Sequence, residues 1–213
     1  VGSEMCIRDR YEKIDPVRFI GNYSSGKMGF ALAEACAERG AEVTLVAGPV
    51  SLKTHHPAIK RIDVESAGEM YQAAMTAFPS SDAAILCAAV ADYRPENASE
   101  QKIKRETEGE MTLHLVPNPD IAASLGAIKR EGQVMVGFAL ETNDEATHAE
   151  GKLKRKNLDF IVLNSLRDQG AGFRCDTNKI TIIDNAGGVT SYPLKTKREV
   201  ACDIVNKLVT LLK

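Results

Sequence analysis

The sequence predicts an α/β fold, a doubly wound and mostly parallel sheet with helices on both faces and a C-terminal β-hairpin extension. Three observations carry this. Short apolar or β-branched runs alternate with segments of helical period from Tyr11 onward. The most apolar run in the chain, AAILCAAVA at residues 83–91, is continuous rather than alternating, as suits a central strand covered on both faces. Two strand-like runs, 179–184 and 189–192, are joined by Asn185-Ala186-Gly187-Gly188 and read as a hairpin.

Taken in order, residues 1–10 show no usable period and no signal-peptide core, and they read as a non-native-looking tail outside the fold. Residues 11–213 are then a single domain. Arg18-Phe19-Ile20 is a short extended piece that leads into the polar turn 21–25. Met28, Ala31, Leu32, Ala35 and Cys36 recur at helical spacing, and Gly40 stops that helix. A β-branched run at 43–47 ends at Gly48-Pro49, and 62–64 is a shorter strand. Ser66 and Glu69 have capping-box spacing and open a helix.

After the apolar run, 111–116 is expected to be another strand. Asn118 is placed as a helix cap, with Pro119 in the first helical position. Buried strands are expected at 134–138 and 160–163, separated by a Lys-rich helix over about 144–157. An amphipathic helix closes the chain from 197 to 212.

Composition narrows the functions. The chain has 213 residues, 44% hydrophobic and 26% charged, enough for one domain with a buried core. A formal net charge of -2 gives no reason to expect nucleic acid or a membrane surface as partner. No apolar run reaches the roughly 18 residues of a membrane-spanning helix. Five cysteines (Cys6, Cys36, Cys87, Cys175, Cys202) include no C-x-x-C pair, which argues for a reducing compartment and against a disulfide framework or zinc site. His55, His56, His114 and His148 show no ligand spacing.

In an open parallel sheet the ligand crevice lies beyond the carboxyl ends of the strands. Asp92, Asn118, Asp120, Phe138 and Asn164 fall at or just past such ends. The turn from Gly21 to Met28 exposes backbone N–H groups that attract phosphate. Its spacing matches the G-x-x-x-x-G-K phosphate loop, but Met28 stands where that loop carries a magnesium-binding Ser or Thr. A helix start without any ligand explains the same residues.

Tyr23 and Lys27 have the Y-x-x-x-K spacing of some dehydrogenases, although no G-x-G-x-x-G precedes them. Asp92 either holds a cation against phosphate oxygens or merely forms a turn. The loop 93–110, with Lys102, Lys104 and Arg105, reads as a catalytic lid or as a solvated connection. Lys152 and Lys156 are one turn apart and either clamp one anion or complement a helix C-terminus.

Together these segments resemble the phosphopantothenate-cysteine ligase family. The resemblance rests on DPVRFIGNYSSGKMGFALAEA, AAVADYRPE followed by KIKR, VPNPDI, VGFALET and KLKRKNLDFIVLN, in that order, and covers residues 11–213. It implies a Rossmann-like fold and a CTP-dependent ligase of coenzyme A synthesis that joins 4'-phosphopantothenate to cysteine. CTP activates the carboxylate as an acyl-cytidylate with release of pyrophosphate, and the cysteine amine then displaces CMP.

Carried over from the motifs, Asn22 serves the acyl-cytidylate, Arg18 the acyl substrate and Lys102 the nucleotide and its turnover. Ser24, Ser25 and Gly26 would cradle phosphate. Cys87, Ala88, Ala89, Asp92, Pro117, Asn118, Pro119, Asp120, Phe138, Lys152 and Lys156 match nucleotide-contacting positions. Ala89 also matches a substrate position and Asp92 the Mg2+ position. The resemblance further implies a cytoplasmic homodimer, joined through the hairpin, in a family often fused to a flavin-dependent decarboxylase domain.

One departure is expected: the family's first strand is missing, with residues 1–10 in its place. A phosphate-loop ATPase or kinase, a nicotinamide oxidoreductase and a non-catalytic nucleotide-binding domain are the alternatives, the last because of the missing strand.

Overall fold

The computed structural model describes residues 2–7, 11–22, 24–88, 91–104, 110–141, 145–165 and 175–212. Fourteen strands follow one another among these residues: β1 (Gly2–Ile7), β2 (Glu12–Lys13), β3 (Phe19–Ile20), β4 (Glu42–Ala47), β5 (Ile59–Asp63), β6 (Ala83–Leu86), β7 (Tyr93–Pro95), β8 (Leu115–Pro117), β9 (Val134–Glu141), β10 (Phe160–Ser165), β11 (Thr177–Asn178), β12 (Ile180–Asp184), β13 (Val189–Ser191) and β14 (Lys195–Thr196). The helices are α1 (Lys27–Ala37), α2 (Ala67–Ala77), α3 (Ile121–Ile128), α4 (Glu145–Arg155) and α5 (Lys197–Leu211).

Eight strands form one sheet in the order β13-β12-β10-β9-β6-β1-β4-β5. The six strands from β10 to β5 run parallel, while β12 and β13 are antiparallel additions at one edge. The expected fold class is therefore the observed one, hairpin extension included. Three ribbons of two short strands (β2–β3, β7–β8 and β11–β14) stand apart from the main sheet.

Side chains alternate across the sheet, and this sets the two core layers. Leu45, Ile85, Val136, Phe160 and Val162 pack with Phe30, Leu32 and Cys36 of α1 and Val200, Ile204 and Leu208 of α5. Their neighbours Val46, Ala84, Met135, Ile161 and Leu163 pack on the opposite face with Met70 of α2, Leu125 of α3 and Leu153 of α4. β4, β6, β9 and β10 send buried side chains to both faces, which is why their sequences read as runs rather than alternations.

The expectation that the first strand is missing is overturned, and with it the reading of residues 2–7 as a tail outside the fold; residues 1 and 8–10 lie outside the described residues. Gly2–Ile7 is the central strand β1, paired in parallel with β4 over its full length and with β6 from Ser3 to Cys6. Strands two places apart in a sheet lie about 9.6 Å from each other, so the gap between β4 and β6 admits one strand and no less. An empty gap would leave the facing N–H and C=O groups of both neighbours unpaired. Backbone pairing makes no demand on sequence period, and GSEMCI shows none.

Other expectations shift in detail. The apolar run gives only the four residues of β6, after which the chain leaves the sheet at Cys87. Of the strand expected at 111–116 only the end is extended, and it pairs with β7 rather than joining the sheet. Ser66 does cap α2, accepting from the Glu69 N–H at 3.2 Å, but the Glu69 carboxylate accepts from the Glu65 N–H at 2.7 Å. A complete capping box occurs instead at α5, between Thr196 and Glu199.

Candidate functional site

The N-terminus of α1 is shaped by Gly26, whose φ of 76° places it in the left-handed region that glycine adopts without steric penalty. As N-cap, Gly26 has no side chain to offer, and its carbonyl accepts from the Phe30 N–H at 3.2 Å. The first N–H groups of α1 therefore receive no side-chain cap from Gly26, and in the turn before them Asn22 is exposed while Ser24 and Ser25 are half-buried. Tyr23 lies outside the described residues. Lys27 pairs with Asp176 at 2.6 Å, and that hydrogen bond and charge hold the Asp176 carboxyl below its usual range.

Beside this turn Asp15 is buried and accepts from several donors at once. Its Oδ1 takes the N–H groups of Val17 and Arg18, each at 2.8 Å. Its Oδ2 takes Arg18 Nε at 2.9 Å, Arg18 Nη2, and the Ile103 N–H at 3.2 Å. The Arg18 guanidinium also donates to the Ile103 carbonyl at 2.8 Å. Hydrogen bonding from Arg18, opposed by burial and joined by the three backbone donors, holds the Asp15 carboxyl well below the usual carboxylate range. The exposed Lys102 and Lys104 thus flank a residue whose backbone is tied to Asp15 and Arg18.

The β7–β8 ribbon brings Asn118 to Asp92. The Asn118 N–H donates to the Asp92 carbonyl and its side-chain amide to the Ala91 carbonyl, both at 2.8 Å. Arg94 holds the same turn by donating to the Pro117 carbonyl at 2.7 Å. The Asp92 side chain is exposed. Cys87 and Ala88 lie just past β6, where desolvation pushes the Cys87 thiol up to about 12 and keeps it neutral. Ala89, placed with them by sequence, lies outside the described residues, as does Arg105.

Asn118 is not the cap of α3. Asp120 is, its Oδ1 accepting from the Ala123 N–H at 3.0 Å, so Pro119 precedes the helix instead of opening it. Each residue shifts because Asn118 is already occupied by the Asp92 segment. Asp120 also receives Lys156 at 3.0 Å, which joins two positions placed together by sequence. Burial works to raise the Asp120 pKa. The Ala123 N–H and the Lys156 hydrogen bond and charge, with Arg155 behind them, outweigh it and lower the carboxyl.

Lys156 follows the last turn of α4, and Lys152 is half-buried one turn before it. Phe138 on β9 packs at the margin of the α1–α5 layer. Among the described residues no group of three His, Cys, Asp or Glu could hold a metal ion, and no helix is long and apolar enough to cross a membrane.

The structure thus unites Arg18 with the segment bearing Lys102, Asn118 with Asp92, and Asp120 with Lys156. Sequence reasoning missed Asp15 and Gly126, the latter packed against Lys156. Asp15 had a signal, since Asp before Pro favours turn initiation.

Against known proteins, residues 9–212 match the family described as DNA/pantothenate metabolism flavoprotein C-terminal domain. A protein of an unknown prokaryotic organism, named cysteine/cysteine sulfinic acid decarboxylase, is 59% identical over 94% of this chain and 56% of its own length. The coenzyme A biosynthesis bifunctional protein CoaBC of Vibrio parahaemolyticus is 48% identical over 94% of this chain and 50% of its own. The chain therefore spans about half the length of the curated relatives it matches. A crystal structure of the C-terminal domain of a CoaBC protein superposes with a TM-score of 0.83 at 37% identity, covering 99% of this chain and 95% of that one.

Proposed function

The chain belongs to the DNA/pantothenate metabolism flavoprotein C-terminal domain family, and from that membership we propose that it joins 4'-phosphopantothenate to cysteine at the expense of CTP. The observation that supports this most is the near-complete superposition on a CoaBC C-terminal domain, 99% of this chain on 95% of that one. The arrangement of donors and cations suits two anionic reactants. It offers uncapped N–H groups at α1, the Arg18 guanidinium, and lysines on both a loop and a helix end.

A free carboxylate is a poor acyl donor, because its leaving group would be oxide. Transfer to the α-phosphate of CTP forms a mixed anhydride and releases pyrophosphate. Attack by the cysteine amine then forms the amide and expels CMP. The work of the protein is alignment and charge screening. In this reading Arg18 meets the acyl substrate, Asn22 the acyl-cytidylate, and Lys102 the triphosphate.

Asp92 would hold Mg2+. A single carboxylate fits that ion, which takes most of its ligands from phosphate oxygens and water. When bound, Mg2+ screens the triphosphate. The reason for considering a non-catalytic domain was a missing first strand, and β1 removes it.

We further propose a cytoplasmic homodimer. The β12–β13 hairpin was the expected contact and exposes Val189. Five further exposed apolar side chains lie on or beside the β2–β3 and β7–β8 ribbons: Val17, Phe19, Tyr93, Met111 and Leu115. These ribbons are the better supported contact.

The test is pyrophosphate release with 4'-phosphopantothenate and each nucleoside triphosphate, with and without cysteine. Release that requires the pantothenate compound and prefers CTP, with CMP appearing on addition of cysteine, is the expected result. Carbon dioxide from cysteine or its sulfinic acid, with no pyrophosphate from any nucleotide, overturns it.

A further inference from the structure

We propose that Asp15 is a positioning residue that ties the Lys102–Lys104 segment to Arg18 and so fixes the loop lysine relative to the guanidinium that receives the acyl substrate. This rests on the proposed ligase reading for what Arg18 and Lys102 do, but not for the tie itself.

The tie joins a local turn to a segment distant in sequence. Asp15 fixes its own turn by accepting from the Val17 and Arg18 N–H groups at 2.8 Å each. Its other oxygen is shared between the Arg18 side chain and the Ile103 N–H at 3.2 Å. Arg18 closes the ring by donating to the Ile103 carbonyl at 2.8 Å. Both backbone groups of Ile103 are thus engaged, 88 residues along the chain from Asp15.

A second link lies nearby, the Ser99 N–H donating to the Ile14 carbonyl at 2.9 Å. The segment 99–104 is anchored by backbone, which leaves its lysine side chains to solvent and to ligand. Arg18 is also held by a carboxylate, so an arriving anion meets a guanidinium already oriented rather than one that must be ordered on binding.

In this reading Asp15 is assigned no contact with a reacting atom. Its effect passes through Arg18 and Ile103. Loss of a purely structural carboxylate would lower stability, and its effect on turnover would multiply with that of losing Lys102. A positioning carboxylate acts on the same step as Lys102, so the two losses overlap.

The experiment compares the chain with Asp15→Asn, Lys102→Gln and the double variant, by amide hydrogen exchange and by pyrophosphate release with 4'-phosphopantothenate and CTP. The amide keeps the size of Asp15 but turns a donor toward Arg18 or Ile103. Exchange at Ile103 should rise by about tenfold or more while α1 and α5 keep their protection. Turnover should fall at least about tenfold, and the double variant should lie within roughly threefold of Lys102→Gln alone.

Unchanged exchange at Ile103, or losses that multiply, overturns the proposal. If Asp15→Asn does not fold, Ile103→Pro removes the donor to Asp15 and leaves the carboxylate in place; unchanged turnover in that variant overturns the proposal equally. If the unsubstituted chain releases no pyrophosphate, the ligase reading is what fails, and the exchange comparison still decides the tie.

Discussion

Gly126 of α3 lies directly against the main chain of Lys156: a Cβ at position 126 would stand 2.2 Å from the Lys156 carbonyl oxygen. The approach is reinforced by Asn157, in the left-handed region at φ 52°, whose side-chain amide donates to the Gly126 carbonyl at 3.1 Å. The end of α4 is therefore seated on α3, and this brings Lys156 to the Asp120 cap. Gly126→Ala forces backbone apart and should cost about 1–3 kcal/mol. Melting should fall by several degrees, about 2–4 °C per kcal/mol at this chain length. CTP titration should show weakened binding as well. A lower melting temperature with unaltered CTP affinity would remove Lys156 from the nucleotide site.

The Asp120–Lys156 pair has a pH signature. Asp120 has a lowered folded-state pKa, with burial opposing and the Ala123 N–H, Lys156 and Arg155 prevailing. The unfolded chain binds the proton first as pH falls, so the stability from Asp120 is fully present above the unfolded value. It is lost as pH drops through the lowered folded value. Lys156→Gln removes two of the lowering causes and should move the Asp120 titration upward, toward the ordinary carboxylate range. Carbon-detected NMR of the Asp120 carboxyl reads this directly. An unmoved titration would assign the lowering to the Ala123 N–H and Arg155 without Lys156.

Much of the architecture was legible because burial writes itself into period and composition. The runs behind β4, β6, β9 and β10 and the stop at Gly40 needed only that. β1 was not legible, since a strand held on both sides by backbone pairing needs no alternation, and GSEMCI offers none. Nor was the β7–β8 ribbon, because two three-residue strands carry too little sequence to be told from loop.

At the site, Asn118 and Asp120 both have side chains that cap helices, and nothing local says which does. The choice is made by the Ala91 and Asp92 carbonyls, 26 and more residues away in sequence, which take the Asn118 donors. Asp15 was visible as a turn residue, but its role depends on Ile103, whose approach no sequence pattern announces.

Lys27 separates this chain from a phosphate-loop nucleotidase. In such a loop the lysine cradles the β- and γ-phosphates, and its loss abolishes nucleotide binding. Here Lys27 is engaged by Asp176 in a pair whose side chains are 39% and 85% exposed. Lys27→Ala should cost less than about 1 kcal/mol of stability. CTP affinity should stay within roughly threefold if, as proposed, backbone N–H groups rather than this ammonium form the cradle. Isothermal titration of the variant with CTP gives the answer, and complete loss of binding would favour the phosphate-loop alternative.

Lys102 is the sharpest separation of chemistry from folding. Its side chain is exposed, and its segment is anchored through the backbone of Ile103 and Ser99 rather than through the ammonium. Lys102→Gln removes a charge from a solvated position and should change stability by no more than about 0.5 kcal/mol. In the proposed ligase reaction that charge would meet the triphosphate where negative charge gathers as pyrophosphate departs. Pyrophosphate release should then fall by about a hundredfold, the scale of losing one aimed electrostatic contact. Addition of cysteine should not restore the rate, because the defect precedes amide formation. A variant that melts with the parent yet forms no acyl-cytidylate would place Lys102 in the first half-reaction. One that loses stability and activity together would return it to the structural residues of the loop.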